Sequence, residues 1–158
     1  MNQQEQTDSV FQERYQRFWE ELGSGKVMVL STSLNGIVSS RSMSIVVLKE
    51  MLFFQTDCTF RKYRQLMENP HAALCAGNIQ MEGICREIGT PQENEEFIQA
   101  FQTHFPSSFQ RYSMLEKERL FLFEPKFIER WLYENGIPYV EQFDICSRRY
   151  SMTLYSGE

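Results

Sequence analysis

The sequence lacks the residues and runs that mark several large protein classes. Its only two histidines, His71 and His104, have no His-x-x-x-His, His-x-x-Glu or cysteine cluster near them, and its four cysteines form no Cys-x-x-Cys pair. No apolar run approaches the ~18 residues of a membrane-spanning helix. The start, MNQQEQTDS, has neither the basic nor the apolar region of a secretion signal. We therefore expect a cytoplasmic protein with reduced thiols, no metal site and no membrane association.

The chain also lacks the excess of positive charge that nucleic-acid-binding proteins usually carry. Its 158 residues have a formal net charge of −5 and a pI of about 5.2. The charge is uneven, because residues 41–64 contain five cations and two carboxylates, a net charge of +3. A local positive site in an acidic protein suits a small anionic ligand better than a polyanion. We therefore expect a small-molecule ligand and no nucleic-acid partner.

Length and composition indicate a single globular domain over residues 1–158. An amphipathic helix is predicted at about 5–22, because apolar residues recur at helical spacing and Gly23 follows. Asn35-Gly36 and Asn135-Gly136 each lie between apolar runs and predict hairpin turns. Strands are predicted at 26–33, 37–48, 51–56, 119–134 and 137–145, with one or two in 72–90, and helices at 59–69, from Pro91 to Phe105 and at 107–115.

These elements predict a mainly β (β+α) fold. Six or seven antiparallel strands joined by hairpins and interrupted by helices favour a closed β-barrel, because closure removes exposed sheet edges. The barrel would occupy about residues 26–146. The C-terminal tail, 147–158, would add a last strand at 147–155 or pack on a partner.

Two cations stand where a helix start disfavours them. In 56-TDCTFRKYRQLMENP-70, Arg61 and Lys62 fall in the first turn and oppose the helix dipole by about 0.3–1 kcal/mol each. Free N–H groups and two cations would form a phosphate pocket, whose charge-assisted hydrogen bonds, at ~1.5–3 kcal/mol each, outweigh that penalty. The alternative is a solvated basic helix face. Arg41, between serines in a predicted strand, would reach the same anion or act as an edge charge that discourages aggregation.

The order of 41-RSM-43, 53-FFQT-56 and 61-RKYRQLMENP-70 resembles the pyridoxamine 5′-phosphate oxidase-like family of FMN-binding split β-barrels. The resemblance covers roughly residues 20–90. It implies a six- to seven-stranded antiparallel split β-barrel with peripheral helices, and a homodimer with two FMN sites at its interface.

The resemblance also implies a set of cofactor-binding residues. Arg41, Arg61 and Lys62 would hold the FMN phosphate, and the backbone of Ser42 and Met43 would lie along the flavin. Gln55 and Thr56 would reach the ribityl chain or the ring. The strand that carries Gln80 and Glu82 would approach the ring from the neighbouring subunit.

The chain departs from the true oxidase of that family. The oxidase has a C-terminal Glu-x-Trp followed by Arg-Leu-His, whereas 127-FIERWLYENGIPYV-140 has only Glu129 and Trp131. The sequence therefore looks more like the short, general stress-protein-like members, and we do not expect oxidation of pyridoxamine phosphate. Cys58 near Arg61 is either a reactive thiol or a bystander.

The resemblance implies an FMN-dependent oxidoreductase that transfers a hydride through flavin N5 to or from an unknown small substrate. Two alternatives stay open. One is a non-catalytic flavin-binding, sensing or interaction protein, and the other is a split barrel that binds haem or a deazaflavin. No catalytic side chain is indicated, so the sequence leaves open whether the protein is an enzyme.

Overall fold

The computed structural model describes residues 3–157 as four α-helices, one short 3₁₀ helix and eight strands. None of the helices in this range is long and apolar enough to cross a membrane. The elements are, in chain order, α1 (Gln3–Leu22), β1 (Gly25–Leu34), β2 (Ile37–Leu48), β3 (Met51–Asp57), α2 (Arg61–Glu68), β4 (His71–Ala76), β5 (Ile79–Glu87), the 3₁₀ helix (Pro91–Glu93), α3 (Glu95–His104), α4 (Pro106–Tyr112), β6 (Glu118–Glu134), β7 (Ile137–Asp144) and β8 (Arg149–Leu154).

Six of the strands close into an antiparallel barrel, which confirms the predicted fold class. The closed order is β1-β2-β3-β6-β5-β4, and β4 pairs back with β1. β6 is 17 residues long, so its second half continues beyond β3 and pairs with β7. β7 in turn pairs with β8, and these two strands extend the sheet outside the barrel.

The barrel opens between β2 and β3. These strands pair over only three residues each, Val46–Leu48 with Met51–Phe53. Beyond this short ladder, β2 pairs only with β1, and β3 pairs only with β6. Backbone groups at 41–44 and 54–57 that face the opening have no strand partner within the described residues. The opening therefore presents two strand edges that can accept and donate hydrogen bonds.

Aromatic side chains fill the barrel and attach α1 to it. Phe54 and Phe121, on paired strands, are buried and stack with ring centroids 5.3 Å apart. Phe11 and Phe18 of α1 pack against Phe143 of β7 with centroids 6.0 and 5.7 Å apart. Burial of each large apolar side chain contributes about 1.5–3 kcal/mol. The apolar residues that recur at helical spacing in the sequence therefore form the face of α1 that contacts the sheet.

The segment after β5 folds into two separate helices over one side of the opening. The prediction of a single helix from Pro91 to Phe105 is wrong, because Pro91 starts only a 3₁₀ turn. The α-helix begins after Asn94, whose side-chain Oδ1 accepts a hydrogen bond from Phe97 N at 2.9 Å. Phe97 and Phe101 then pack on Val46 and Leu120. This packing places α3 and α4 beside the gap between β2 and β3.

The turns follow the backbone preferences of their residues, except at Lys49-Glu50 and at Arg148 in the β7–β8 turn. Both Asn-Gly pairs have positive φ at each position, as a two-residue hairpin turn requires. The turn between β2 and β3 has the same conformation at Lys49 and Glu50, with φ of 51° and 62°. Neither of these residues is a typical turn former. The residue types at the tight β2–β3 turn therefore do not by themselves indicate a turn.

Candidate functional site

A cavity of about 380 Å³ lies where β2 and β3 separate. Its floor is formed by the two diverging strands, and α2 and the α4 segment form its sides. Cavities of this size accommodate cofactor-sized ligands. Five of the nine residues predicted to bind a cofactor line this cavity, namely Ser42, Met43, Gln55, Thr56 and Lys62.

Lys62 brings a positive charge into the cavity wall. Its side chain is half-buried, and its ammonium lies 5.1 Å from the centre of the Phe60 ring. Burial and then the nearby Arg41 charge lower the pKa of Lys62, whereas Glu118 acts in the opposite direction. The environment therefore disfavours the charged amine until an anion is close.

Arg41 is held at the barrel end by neutral groups. Its guanidinium donates to Thr32 Oγ1 at 2.8 Å, to Gln65 Oε1 at 3.0 Å and to the Leu30 carbonyl at 3.3 Å. Burial and then the charge of Arg61 lower the pKa of Arg41. Arg41 is not one of the residues that line the cavity, but the charge of Arg61 acts on it and its own charge acts on Lys62.

Arg41, Arg61 and Lys62 thus form a cation cluster that makes no ion pair within the described residues. None of the three has an ion pair within residues 3–157, although Arg64 on the same helix pairs with Glu68 at 3.6 Å. α2 has no acidic residue in its first turn and no side-chain cap at Phe60. The dipole and the mutual repulsion of the cations therefore both favour a bound anion at this end of α2.

Two buried oxygen atoms at the cavity are unsatisfied. Thr56 Oγ1 and Glu118 Oε2 have no hydrogen-bond partner in the structure, and their residues are 3% and 5% exposed. Glu118 lies opposite Asp57 in the β3–β6 register. Burial and then the Asp57 charge raise the pKa of Glu118 to about 7, against the effect of Lys62. Unsatisfied buried polar atoms are uncommon and often mark a ligand site.

Gln55 is oriented from the opposite side of the cavity. Its Oε1 accepts a hydrogen bond from Ser113 Oγ at 2.7 Å, and Ser113 is fully buried after the end of α4. The rim of the cavity is apolar, with Phe60 54%, Tyr112 46% and Leu115 49% exposed. A planar or apolar group at the mouth would cover these side chains.

Comparison with known proteins identifies the fold but no close relative. No family model matches the sequence, and no curated protein matches it. Among solved structures, PhzG from Burkholderia lata 383, in complex with tetrahydrophenazine-1-carboxylic acid, is 16% identical with a TM-score of 0.61, over 92% of this chain and 90% of that chain. A pyridoxamine 5′-phosphate oxidase-related, FMN binding protein from Nostoc punctiforme PCC 73102 is 14% identical with a TM-score of 0.58, over 99% and 98% of the two chains.

General Stress Protein 26 from Bacillus anthracis str. Sterne is 19% identical, with a TM-score of 0.53 over 68% of this chain and 84% of that chain. The chain has the pyridoxamine 5′-phosphate oxidase-like split-barrel fold. The resemblance noted in the sequence is therefore confirmed for the architecture. In this split barrel, the cavity described above is the split itself.

Gln80 and Glu82 lie away from the cavity of their own split barrel. Gln80 Nε2 donates to Glu129 Oε1 at 2.6 Å on the outer face of the sheet. Glu82 lines a second depression of about 420 Å³, together with His71 and Lys126. Their predicted contact with a cofactor requires a second subunit and stays a prediction.

The two histidines also lie outside the cavity. His71 is at the second depression, and His104 Nε2 lies 2.8 Å from Ser24 Oγ. Within residues 3–157, no group of three His, Cys, Asp or Glu side chains is placed to bind a metal ion. The polar groups that line the cavity are the Lys62 ammonium, several hydroxyls, the Gln55 amide and the carboxyls of Asp57 and Glu118.

Sequence reasoning missed several residues of the cavity. Glu118, Tyr112 and Leu115 are far from β2 and α2 in the sequence, and no local motif includes them. Glu118 reaches the site only through its pairing opposite Asp57. The one local signal is that Glu118 is an acid at the first position of β6, two residues before the apolar run 120–123.

Proposed function

We propose that this protein binds FMN in the cavity between β2 and β3. The observation that supports this best is the cation cluster of Arg41, Arg61 and Lys62, which forms no ion pair in the described residues and lies at the cavity end. The FMN phosphate would bind these cations. The hydroxyl of Thr56, which is buried without a partner, would donate to a phosphate or ribityl oxygen.

The shape of the cavity suits the rest of the cofactor. The unpaired backbone edge at Ser42 and Met43 would contact the polar edge of the flavin, and Gln55 would face the ribityl chain or the ring. The apolar rim would cover the ring and limit the access of water to it. FMN bound there would supply hydride transfer at its N5 atom to or from a small substrate. The side chains would provide binding and orientation.

We further propose that the protein is a homodimer. The outer face of β1, β2 and β4 has no charged side chain along its central rows, and charge depletion is typical of the core of an interface. The rows pair in register across these three strands, and on β5 they meet Gln80 and, at the edge of the face, Glu82. Their side chains are Val27, Val29, Ser31, Ser40, Ser42, Ala73 and Cys75.

The cofactor proposal is tested by the visible spectrum of the purified protein before and after FMN addition. We expect the bands of a bound oxidised flavin. The Arg61→Ala/Lys62→Ala double variant should bind FMN at least about 100-fold more weakly, because two charge-assisted hydrogen bonds are worth ~1.5–3 kcal/mol each. The Lys49→Ala/Arg64→Ala variant removes the same charge outside the cavity and should bind normally. A protein that takes up no FMN at excess ligand would refute the proposal.

Catalysis is tested separately from binding. The FMN-loaded protein is mixed with reduced nicotinamide cofactor in the absence of oxygen, and the loss of the flavin band is followed. Recovery of the band when a defined acceptor is then added supports the oxidoreductase. Tight FMN binding without any reduction would support the non-catalytic flavin-binding alternative.

The dimer is tested by light scattering coupled to gel filtration. Val29 is 38% exposed in the middle of the charge-free face, and Val29→Glu should give monomers with weakened FMN binding. Tyr133→Glu, at a 64% exposed position near the far end of β6, is the matched control and should leave the dimer intact. A native protein that elutes with the mass of one chain would contradict the dimer proposal.

A further inference from the structure

Glu118 is an unexpected group to find in a phosphate site. It lines the same cavity as Lys62 and Thr56, yet a carboxylate at that position would repel a phosphate dianion. It is not sequestered by a partner, because its Oε2 atom is buried without a hydrogen bond. Lys62 acts on its charge, but no ion pair joins the two residues within the described structure. The site therefore contains a buried acid whose partner is missing.

We propose that Glu118 binds the phosphate of the ligand as a protonated carboxyl that donates a hydrogen bond, so that the anion and one proton enter the cavity together. This inference rests on the proposed FMN site and adds a residue that determines which charge state is bound. The O–H of Glu118 would donate to a phosphate oxygen, while the cation cluster neutralises the phosphate charge. No bond is broken, and the proton stays on Glu118.

The charges around Glu118 favour the protonated form. Asp57 faces it from β3 and disfavours its ionisation, whereas Lys62 faces it from α2 and favours ionisation. Tyr112 lines the cavity from α4. The adjacent Arg119 does not neutralise the carboxyl, because its guanidinium donates to the Glu116 and Glu118 carbonyls and lies 3.5 Å from Glu87. Burial, the largest cause, already raises the pKa of Glu118 to about 7.

A bound phosphate would favour protonation further. It adds negative charge beside Glu118, and it also pairs with Lys62, the cation that favours ionisation of Glu118 in the ligand-free protein. Only the protonated carboxyl can donate to an acceptor-only phosphate. Glutamine has the same shape and a permanent donor, so Glu118→Gln mimics the protonated acid at every pH. Alanine removes both the charge and the donor, which separates relief of repulsion from hydrogen bonding.

The test is FMN affinity, measured by flavin fluorescence, between pH 5.5 and 8.5. The native protein should lose affinity above about pH 7, approaching tenfold for each pH unit. Glu118→Gln should lose much less and bind at least about tenfold more tightly than the native protein at pH 8.5. Glu118→Ala should bind more weakly than Glu118→Gln at every pH. Glu116→Gln, in the exposed loop before β6, removes the same charge and should behave like the native protein.

Calorimetry in buffers of different ionisation enthalpy provides a second readout. About one proton should be taken up for each FMN bound at pH 8 by the native protein, beyond the uptake measured for Glu118→Gln. The second ionisation of the FMN phosphate contributes equally in both proteins and cancels in this difference. Should Glu118→Gln not fold, Asp57→Asn serves instead: it removes the facing charge and should move the loss of affinity to lower pH.

The outcomes separate this inference from the proposed function. FMN binding with the same pH dependence in the native protein and Glu118→Gln would overturn the role of Glu118 and leave the FMN site standing. Equal affinities of Glu118→Gln and Glu118→Ala would also overturn it, since the hydrogen bond would then contribute nothing. Failure of the native protein to bind FMN at any pH would remove the proposed function and this inference with it.

Discussion

Glu118 should also control how the stability of the ligand-free protein depends on pH. Burial raises the pKa of its carboxyl from an ordinary value near 4.5 to about 7 in the folded chain. Between these two values the folded state binds the proton more tightly than the unfolded state does. The free energy of unfolding must therefore fall as the pH rises from about 4.5 through about 7, and level off above it.

The size of the effect follows from the difference between the two pKa values. Each pKa unit corresponds to about 1.4 kcal/mol, so the full loss approaches an upper limit of about 3 kcal/mol at pH 8. Glu118→Gln has no charge to bury and should avoid this loss. We expect the variant to be more stable than the native protein at pH 8 by up to that amount, and close to it in stability at pH 5.

Urea denaturation of the ligand-free protein at pH 5, 6, 7 and 8 measures this directly. Glu116→Gln is the control, because it removes a carboxylate from an exposed position beside the same strand. The difference between Glu118→Gln and the native protein should grow with pH, while the control difference stays constant. A Glu118→Gln variant that is less stable than the native protein at pH 8 would refute the reasoning. The ionised carboxylate would then be a favourable partner of Lys62.

Three further substitutions test other contacts. Arg61→Gln should stabilise the ligand-free protein by about 0.3–1 kcal/mol in urea denaturation, because it removes a cation from the start of α2, yet it should weaken FMN binding. Lower stability of this variant would contradict the repulsion argument. Glu141→Ala should destabilise the protein by about 3 kcal/mol, because the buried Glu141 accepts from Arg130 Nε and from Tyr150 Oη at 2.9 Å. A thermal midpoint near the native value would count against that network. Gly83→Ala should destabilise the protein by about 1–3 kcal/mol in thermal unfolding, since the added Cβ would lie 2.6 Å from the ring of Phe123. An unchanged midpoint would mean that the bulge at Gly83 adapts.

Local sequence signals predicted the architecture well where a few neighbouring residues determine the conformation by themselves. The two Asn-Gly pairs set two hairpins, since few other residues adopt two successive positive φ angles easily. The spacing of Phe11, Tyr15 and Phe18 predicted α1 and its buried face. The prediction of one continuous helix from Pro91 failed because Asn94 caps a new helix, and tertiary packing of Phe97 decides where that helix starts.

The candidate site was only partly predictable for a related reason. Lys62, Thr56 and Met43 belong to short motifs on adjoining elements, so their order in the sequence was informative. Glu118 enters through a strand register, and Tyr112 through helices inserted after β5. Register and insertion geometry depend on long-range packing, which a single sequence expresses only weakly. Glu118 could therefore be assigned to the site only from the pairing of β3 with β6 in the structure.

The arrangement of charges limits what kind of ligand can complete the cavity. A neutral ligand would leave Arg41, Arg61 and Lys62 repelling one another. A ligand with only a diffuse negative charge would satisfy the cations but not the two buried oxygen atoms. A compact anionic group with several acceptor oxygens offers a partner to each kind of group, because it can accept from the Thr56 hydroxyl, from a protonated Glu118 and from a cation. Since these costs exist only in the ligand-free chain, such a ligand should raise the stability of the protein as well as fill the cavity.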